Sequence, residues 1–82
     1  MYEKVHEKIK VRVDFKEQDP DIRGFVWKNK DYPISRINLI TRARKGQIPV
    51  FLFSVSNDAG AYELRFDTDT LQWFLEQVYW KI

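Results

Sequence analysis

Cysteine is absent from the 82-residue chain, and with it disulfide bonds and thiolate chemistry of any kind. Histidine occurs once, as His6, flanked by Glu3 and Glu7 near the N-terminus. One imidazole without cysteine cannot complete a tetrahedral zinc site. A general base needs an oriented partner nucleophile, so a solvated ring is the expected state of His6. Glycine is scarce, and Gly24, Gly46 and Gly60 stand too far apart to form a phosphate loop. Asp67-Thr68-Asp69-Thr70 resembles the start of a calcium loop, but the further acidic ligands and the glycine are missing. Turn and cap roles account for these residues. Nothing singles out a carboxylate pair such as Glu63 and Glu76 for acid–base work. The longest apolar runs are four or five residues, against the roughly 20 that a membrane-spanning helix needs. No apolar h-region follows Met1-Tyr2-Glu3-Lys4. These absences predict a soluble, cytoplasmic protein that is not an enzyme, takes no cofactor or metal and does not engage a membrane.

What is present is aromatic and charged. The length fits one domain, residues 1–82. A domain this small buries only about 60% of the surface its unfolded chain exposes, so its core is thin. Three Trp, four Tyr and six Phe compensate, since large rings bury the most area per residue. The net charge of +2 hides an asymmetry. Residues 21–50 carry Arg23, Lys28, Lys30, Arg36, Arg42, Arg44 and Lys45 against Asp21 and Asp31. Residues 51–82 carry Arg65 and Lys81 against Asp58, Glu63, Asp67, Asp69 and Glu76. Such polarity steers an acidic partner toward the middle of the chain.

The hydrophobic pattern is that of strands. Ile9, Val11, Val13 and Phe15 alternate with Lys8, Lys10, Arg12 and Asp14, and Gln18-Asp19-Pro20-Asp21 closes this strand with turn chemistry. Ile22–Lys28 follows, and the polar Asn29-Lys30-Asp31 predicts a hairpin return. The next strand, Tyr32–Arg44, slips phase: Tyr32 and Ile34 share one side, whereas Ile37, Leu39 and Thr41 share the other. A β-bulge near Ser35-Arg36 reconciles them and bends the sheet. Beyond Gly46-Gln47-Ile48-Pro49, the apolar run Val50–Ser56 suits a central strand. Asn57-Asp58-Ala59-Gly60 is a hairpin loop with Gly60 available for positive φ, and Tyr62, Leu64 and Phe66 alternate beyond it. The last segment supports two readings. Leu71, Phe74, Leu75, Val78, Tyr79 and Ile82 recur at helical spacing behind a cap at Asp69 or Thr70. Its aromatic and β-branched content suits a strand from Gln72 to Trp80 instead.

Three blocks stand out: the hairpin Phe25-Val26-Trp27-Lys28-Asn29-Lys30-Asp31-Tyr32-Pro33-Ile34, the strand–turn–strand Phe51-Leu52-Phe53 with Gly60-Ala61-Tyr62-Glu63-Leu64, and Asp67 through Thr70 followed by Trp73-Phe74-Leu75-Glu76-Gln77-Val78-Tyr79. On these blocks the stretch from Phe25 to Tyr79 resembles a family of uncharacterised small bacterial domains that occur alone and at the C-terminus of ImuB-like, Y-family DNA polymerase relatives. Where the family carries tryptophans in the middle segment, this chain has Asn38-Leu39-Ile40-Thr41-Arg42-Ala43-Arg44. The resemblance implies an all-β fold and an association with DNA repair. Pattern and resemblance together predict about six antiparallel strands in a bent sheet or small barrel. The alternative is an α+β fold with a helix over residues 70–82 packed on the sheet.

For function, the expectation is a non-catalytic binding module that contacts nucleic acid in a repair context. Lys28, Lys30, Arg36, Arg42, Arg44 and Lys45 form the candidate phosphate stripe, and Trp27, Phe51, Phe53 and Trp73 are candidate stacking rings. The competing expectation is a protein-interaction or self-association domain, homodimeric in its simplest form. It uses the aromatic C-terminus, Tyr79, Trp80 and Ile82, with Trp80 the ring most expected at the surface.

Overall fold

A computed structural model describes residues 2–16 and 19–81. They form strands and turns only: β1 (Tyr2–Lys16), β2 (Asp19–Trp27), β3 (Lys30–Pro33), β4 (Arg36–Lys45), β5 (Ile48–Asn57), β6 (Gly60–Asp67) and β7 (Gln72–Trp80). The seven strands make one unclosed antiparallel sheet in the order β3-β2-β1-β7-β6-β5-β4. The fold is all-β and bent, and residues 70–82 do not form the alternative helix: 72–80 are strand and 70–71 turn. Among the described residues no helix is long and apolar enough to cross a membrane.

Two long chain segments produce the bend by changing partners. β1 pairs with β7 through Tyr2–Ile9 and with β2 through Lys10–Lys16. The stretch read as one slipping strand, Tyr32–Arg44, does the same. Ile34 N donates to Arg23 O of β2 at 2.9 Å, and the next residue, Ser35, donates to Ser56 O of β5 at 2.9 Å. β3 and β4 are thus one extended chain that leaves β2 for β5, which explains seven strands where about six were expected. The bulge itself lies further on, between Ile37 and Leu39. It reverses the strand's phase once more, so that the residues after it fall out of step with Ile37.

The helical spacing in the last segment has a physical source. Trp73, Leu75, Val78 and Trp80 all face inward, opposite Phe66, Leu64, Tyr62 and Gly60. Their spacing of two, three and two arises because Glu76 is an extra residue relative to β6. A strand bulge therefore imitates i, i+3 periodicity. β1 carries a matching irregularity between Lys4 and Glu7, where His6 takes a left-handed φ of 55°. His6 sits in this irregularity within β1, with its side chain 62% exposed.

Rings between the two halves fill the core. Phe25 stacks on Tyr32 at 5.0 Å and meets Tyr62 edge-on at 5.2 Å. Trp80, half-buried, packs on Trp27, Tyr32 and Tyr62 at 6.3–6.4 Å. It is not the surface ring expected of it, because alternation along β7 turns it inward and Lys81 N is bonded to Ala59 O at 2.9 Å. The seam is fixed by Asn57. Its Oδ1 accepts from Ala59 N, Gly60 N and the Tyr62 hydroxyl, while Nδ2 donates to Pro33 O at 2.6 Å. Gly60 does not take the positive φ expected of it. A Cβ there would run into the Tyr79 carbonyl oxygen, so close strand approach is what requires glycine.

Two predictions arise from this framework. Leu71 sits at the β6–β7 turn with φ 58° and a 71% exposed side chain. A left-handed L-residue is strained by about 1–2 kcal/mol, part of which Gly returns through its freer unfolded chain. Leu71→Gly is expected to raise the urea midpoint, with a gain of up to about 1 kcal/mol. The second concerns alkaline pH. Burial raises the Tyr62 phenol above its ordinary value of 10.0, reinforced by Tyr32. A raised folded-state value means that the unfolded chain ionises first, so stability is complete below about pH 10 and falls as pH climbs further. Urea midpoints measured on either side of about pH 10 should fall less in Tyr62→Phe than in the wild type.

Candidate functional site

The bulge in β4 decides what the strand presents. Ile37 pairs with Val55 on the inner face, but beyond the bulge Leu39 pairs with Ser54 on the outer face and Ile40 with Phe53 on the inner one. Leu39, expected in phase with Ile37, is instead 61% exposed. The same flip aims Arg42 and Arg44 inward, opposite Phe51 and Pro49, and leaves Lys45 outward. Without the extra residue the arginines would stand on the convex side.

A hollow opens on the same face. Pro20, Ile40, Phe51, Phe53, Phe66 and Trp73 enclose a volume of about 220 Å³. Phe53 and Phe66 contact Trp73 at 5.2 and 4.8 Å between ring centres. The hollow lies between β4 and the start of β2. The Arg42 guanidinium stands 5.9 Å from the Phe51 ring, at the edge of the hollow, within cation–π range. Every lining side chain is apolar or aromatic. An apolar cavity of about 150 Å³ takes up benzene, so this one has room for a phenyl or branched aliphatic side chain. A buried nucleobase would find no polar group among the lining side chains apart from the Trp73 indole nitrogen, and an unsatisfied polar edge is costly to bury.

β4 is an edge strand ten residues long. All of its residues except Ile37 and Ala43 are exposed. Its sequence holds Arg36, Arg42, Arg44 and Lys45 and no carboxylate. Among the described residues none of these cations lies within ion-pair distance of an acidic group; Arg12, Arg23, Arg65 and His6 do.

The remaining candidates are dispersed. Lys28, in the β2–β3 turn with φ 53°, places Nζ 4.9 Å from the Trp27 ring, and Lys30 stands 5.4 Å from the Tyr32 ring. Both cover the aromatic core rather than the hollow. Lys45 lies 6.0 Å from Phe74 on the outer face, and Arg36 also points outward opposite Ser56. The structure sets Arg42 and Arg44 on the same face of β4, two residues apart, and the other four on other surfaces. Of the proposed stacking rings, Phe51, Phe53 and Trp73 line the hollow, whereas Trp27 is buried in the core. Tyr79 is exposed and packs on Tyr2 at 4.8 Å, Trp80 is half-buried, and Ile82 lies outside the described residues. Pro20 and Ile40 were absent from the sequence-based candidates. No signal in their own positions marks them, since the bulge and the chain crossing bring them to the hollow.

Elsewhere, Glu76 bonds Arg65 at 2.6 Å and His6 at 2.6 Å, whereas Glu63 bonds Gln77 at 3.3 Å, so each of these carboxylates is held by different groups. Asp67 is held by Arg65, and Thr68 Oγ1 donates to Pro49 O at 2.7 Å, so this turn is closed by its own contacts. No three His, Cys, Asp or Glu side chains converge among the described residues. No family model, curated protein or solved structure matches the chain.

Proposed function

We propose that this domain is a non-catalytic binding module that captures a segment of another protein as an extra strand along β4. The observation that carries the reading is the unpaired edge of that ten-residue strand, exposed along most of its length beside an apolar hollow. An edge strand offers a row of backbone donors and acceptors that only another extended polypeptide satisfies in full. The exposed Leu39 and Ile40 add apolar contact on either face of the new strand. Peptides selected from a random display library on the immobilised protein provide the test, followed by amide shift mapping. Perturbations centred on Arg36–Lys45 are the expected outcome. A map that avoids β4, or no selected peptide, overturns the reading.

A second reading is favoured by Arg42 over Phe51: single-stranded nucleic acid, with phosphates on Arg42 and Arg44 and a base on the half-buried aromatic rim. The resemblance to domains appended to ImuB-like polymerases is what supports a DNA-repair context for this reading. Fluorescence anisotropy with labelled single- and double-stranded DNA at rising salt separates it. Affinity that falls steeply with salt and is reduced in Arg42→Ala supports it; salt-insensitive or absent binding removes it.

A further inference from the structure

Resting on the strand-addition reading, we infer that the partner of β4 is an acidic extended segment with one large apolar anchor, in the order acidic–x–acidic–x–apolar. The order follows from the register of β4. Ile40, Arg42 and Arg44 share the inner face, two residues apart. A strand laid antiparallel beside β4, the sense of every pair in this sheet, passes Arg44 first, then Arg42, then Ile40. Side chains on its inner face then lie beside those three residues in turn. Next to Ile40 lies the hollow, whose six apolar or aromatic lining residues accept a phenyl or leucine side chain. Beside Arg42 and Arg44 a carboxylate meets a guanidinium that no described acidic group occupies.

Charge selects this occupant over β4 of a second copy of the chain. β4 holds four cations and no carboxylate, so a self-paired dimer would bring the same four cations to the seam again. Like charges beside one another oppose pairing, and edge cations are a known defence against unwanted strand addition. That defence does not act against an acidic strand. The same residues that keep β4 single among copies of itself admit a partner of opposite charge.

The test uses the full chain and ten-residue peptides matched to β4. One has the core Asp-Thr-Asp-Thr-Phe, one replaces Asp by Lys, one replaces Phe by Ala, and one reverses the order to Phe-Thr-Asp-Thr-Asp. The first is expected to bind with amide shifts on β4. Loss of either the acidic pair or the anchor should weaken binding by about tenfold or more. The charge-reversed protein Arg42→Glu/Arg44→Glu should reject the acidic peptide and accept the lysine one. That rescue reports on recognition alone and requires a folded variant, and both sites lie on an exposed edge. Equal binding of acidic and basic peptides, or an anchor that can be deleted without effect, overturns the inference while leaving strand addition standing. Failure of every peptide to shift β4, with an oligothymidylate shifting it instead, overturns strand addition too. Stronger binding of the reversed peptide overturns the antiparallel order.

Discussion

Phe25→Ala is expected to cost about 3–5 kcal/mol, the range for deleting a fully buried phenylalanine from a close-packed core. Phe25 has no exposed surface. It belongs to β2, yet it stacks on Tyr32 and meets Tyr62 of β6 edge-on at 5.2 Å. The ring therefore joins the two halves of the bent sheet across the interior. Its loss leaves a cavity where neither half has other large rings to collapse inward, because Tyr32, Tyr62 and Trp80 are already fixed on one another. Small domains have total stabilities of about 5–15 kcal/mol, and one of this size belongs at the lower end. Phe25→Ala should consequently sit close to its unfolding transition at room temperature. Phe25→Leu keeps most of the volume and should lose only about 1–2 kcal/mol. Urea titration followed by tryptophan fluorescence distinguishes the two. If both variants lose the same small amount, the cluster does not bridge the halves as described.

The pattern of apolar residues was enough to place most strands and turns, for a reason visible in β5 and β6. Phe51, Phe53 and Val55 alternate against Phe66, Leu64 and Tyr62 without interruption. Unbroken alternation is legible in a sequence because one period fixes both the strand and its buried face. Where the sheet bends, that legibility fails. The extra residue Glu76 gives β7 the spacing of a helix, and the irregularity near Asn38 reverses the faces of everything after it in β4. The polar opening of β1, Tyr2-Glu3-Lys4, shows no core face, although its pairing with β7 includes Tyr2 against Tyr79. These departures are backbone events with no fixed side-chain signature. They are the features that curve a sheet and re-aim side chains.

The same cause governs the site. That β4 is basic is legible directly, and the sequence alone groups its cations in one stripe with Lys28 and Lys30. Their true grouping depends on a bulge that turns Arg42 and Arg44 inward while leaving Arg36 and Lys45 outside. The hollow depends on a second event, the crossing of the chain from β2 to β5 at Ile34 and Ser35. Ile40 and Pro20 face one another only because the sheet does not close there. A site made by the meeting of two irregularities has no linear motif.

The outer face holds the second large effect. Arg65 is only 14% exposed at its side chain. Its Nε lies 2.7 Å from Asp67 Oδ1 and its Nη1 lies 2.6 Å from Glu76 Oε1, and the guanidinium rests 4.3 Å from the Phe74 ring centre. The two carboxylates are as sheltered as the arginine, at 11% and 12% exposure. One cation thus compensates two acids in a place that water reaches poorly. His6 bonds Glu76 from a 62% exposed position and does not touch Asp67 in the described contacts. It cannot replace the guanidinium. Arg65→Met keeps an aliphatic stem but takes the guanidinium away from Phe74 and from both carboxylates, and should cost about 3 kcal/mol. Arg65→Lys should fall between, because a compact ammonium cannot fork to both acids at once. The origin of the loss can be isolated. If uncompensated charge is responsible, adding Glu76→Gln to Arg65→Met recovers part of the stability, although Glu76→Gln alone is destabilising. A loss in Arg65→Met below about 1 kcal/mol, with no recovery in the double variant, would mean that the cluster behaves as ordinary surface pairs. In that case strand pairing and the packing of Phe74, rather than charge, hold β6 and β7 together at this face.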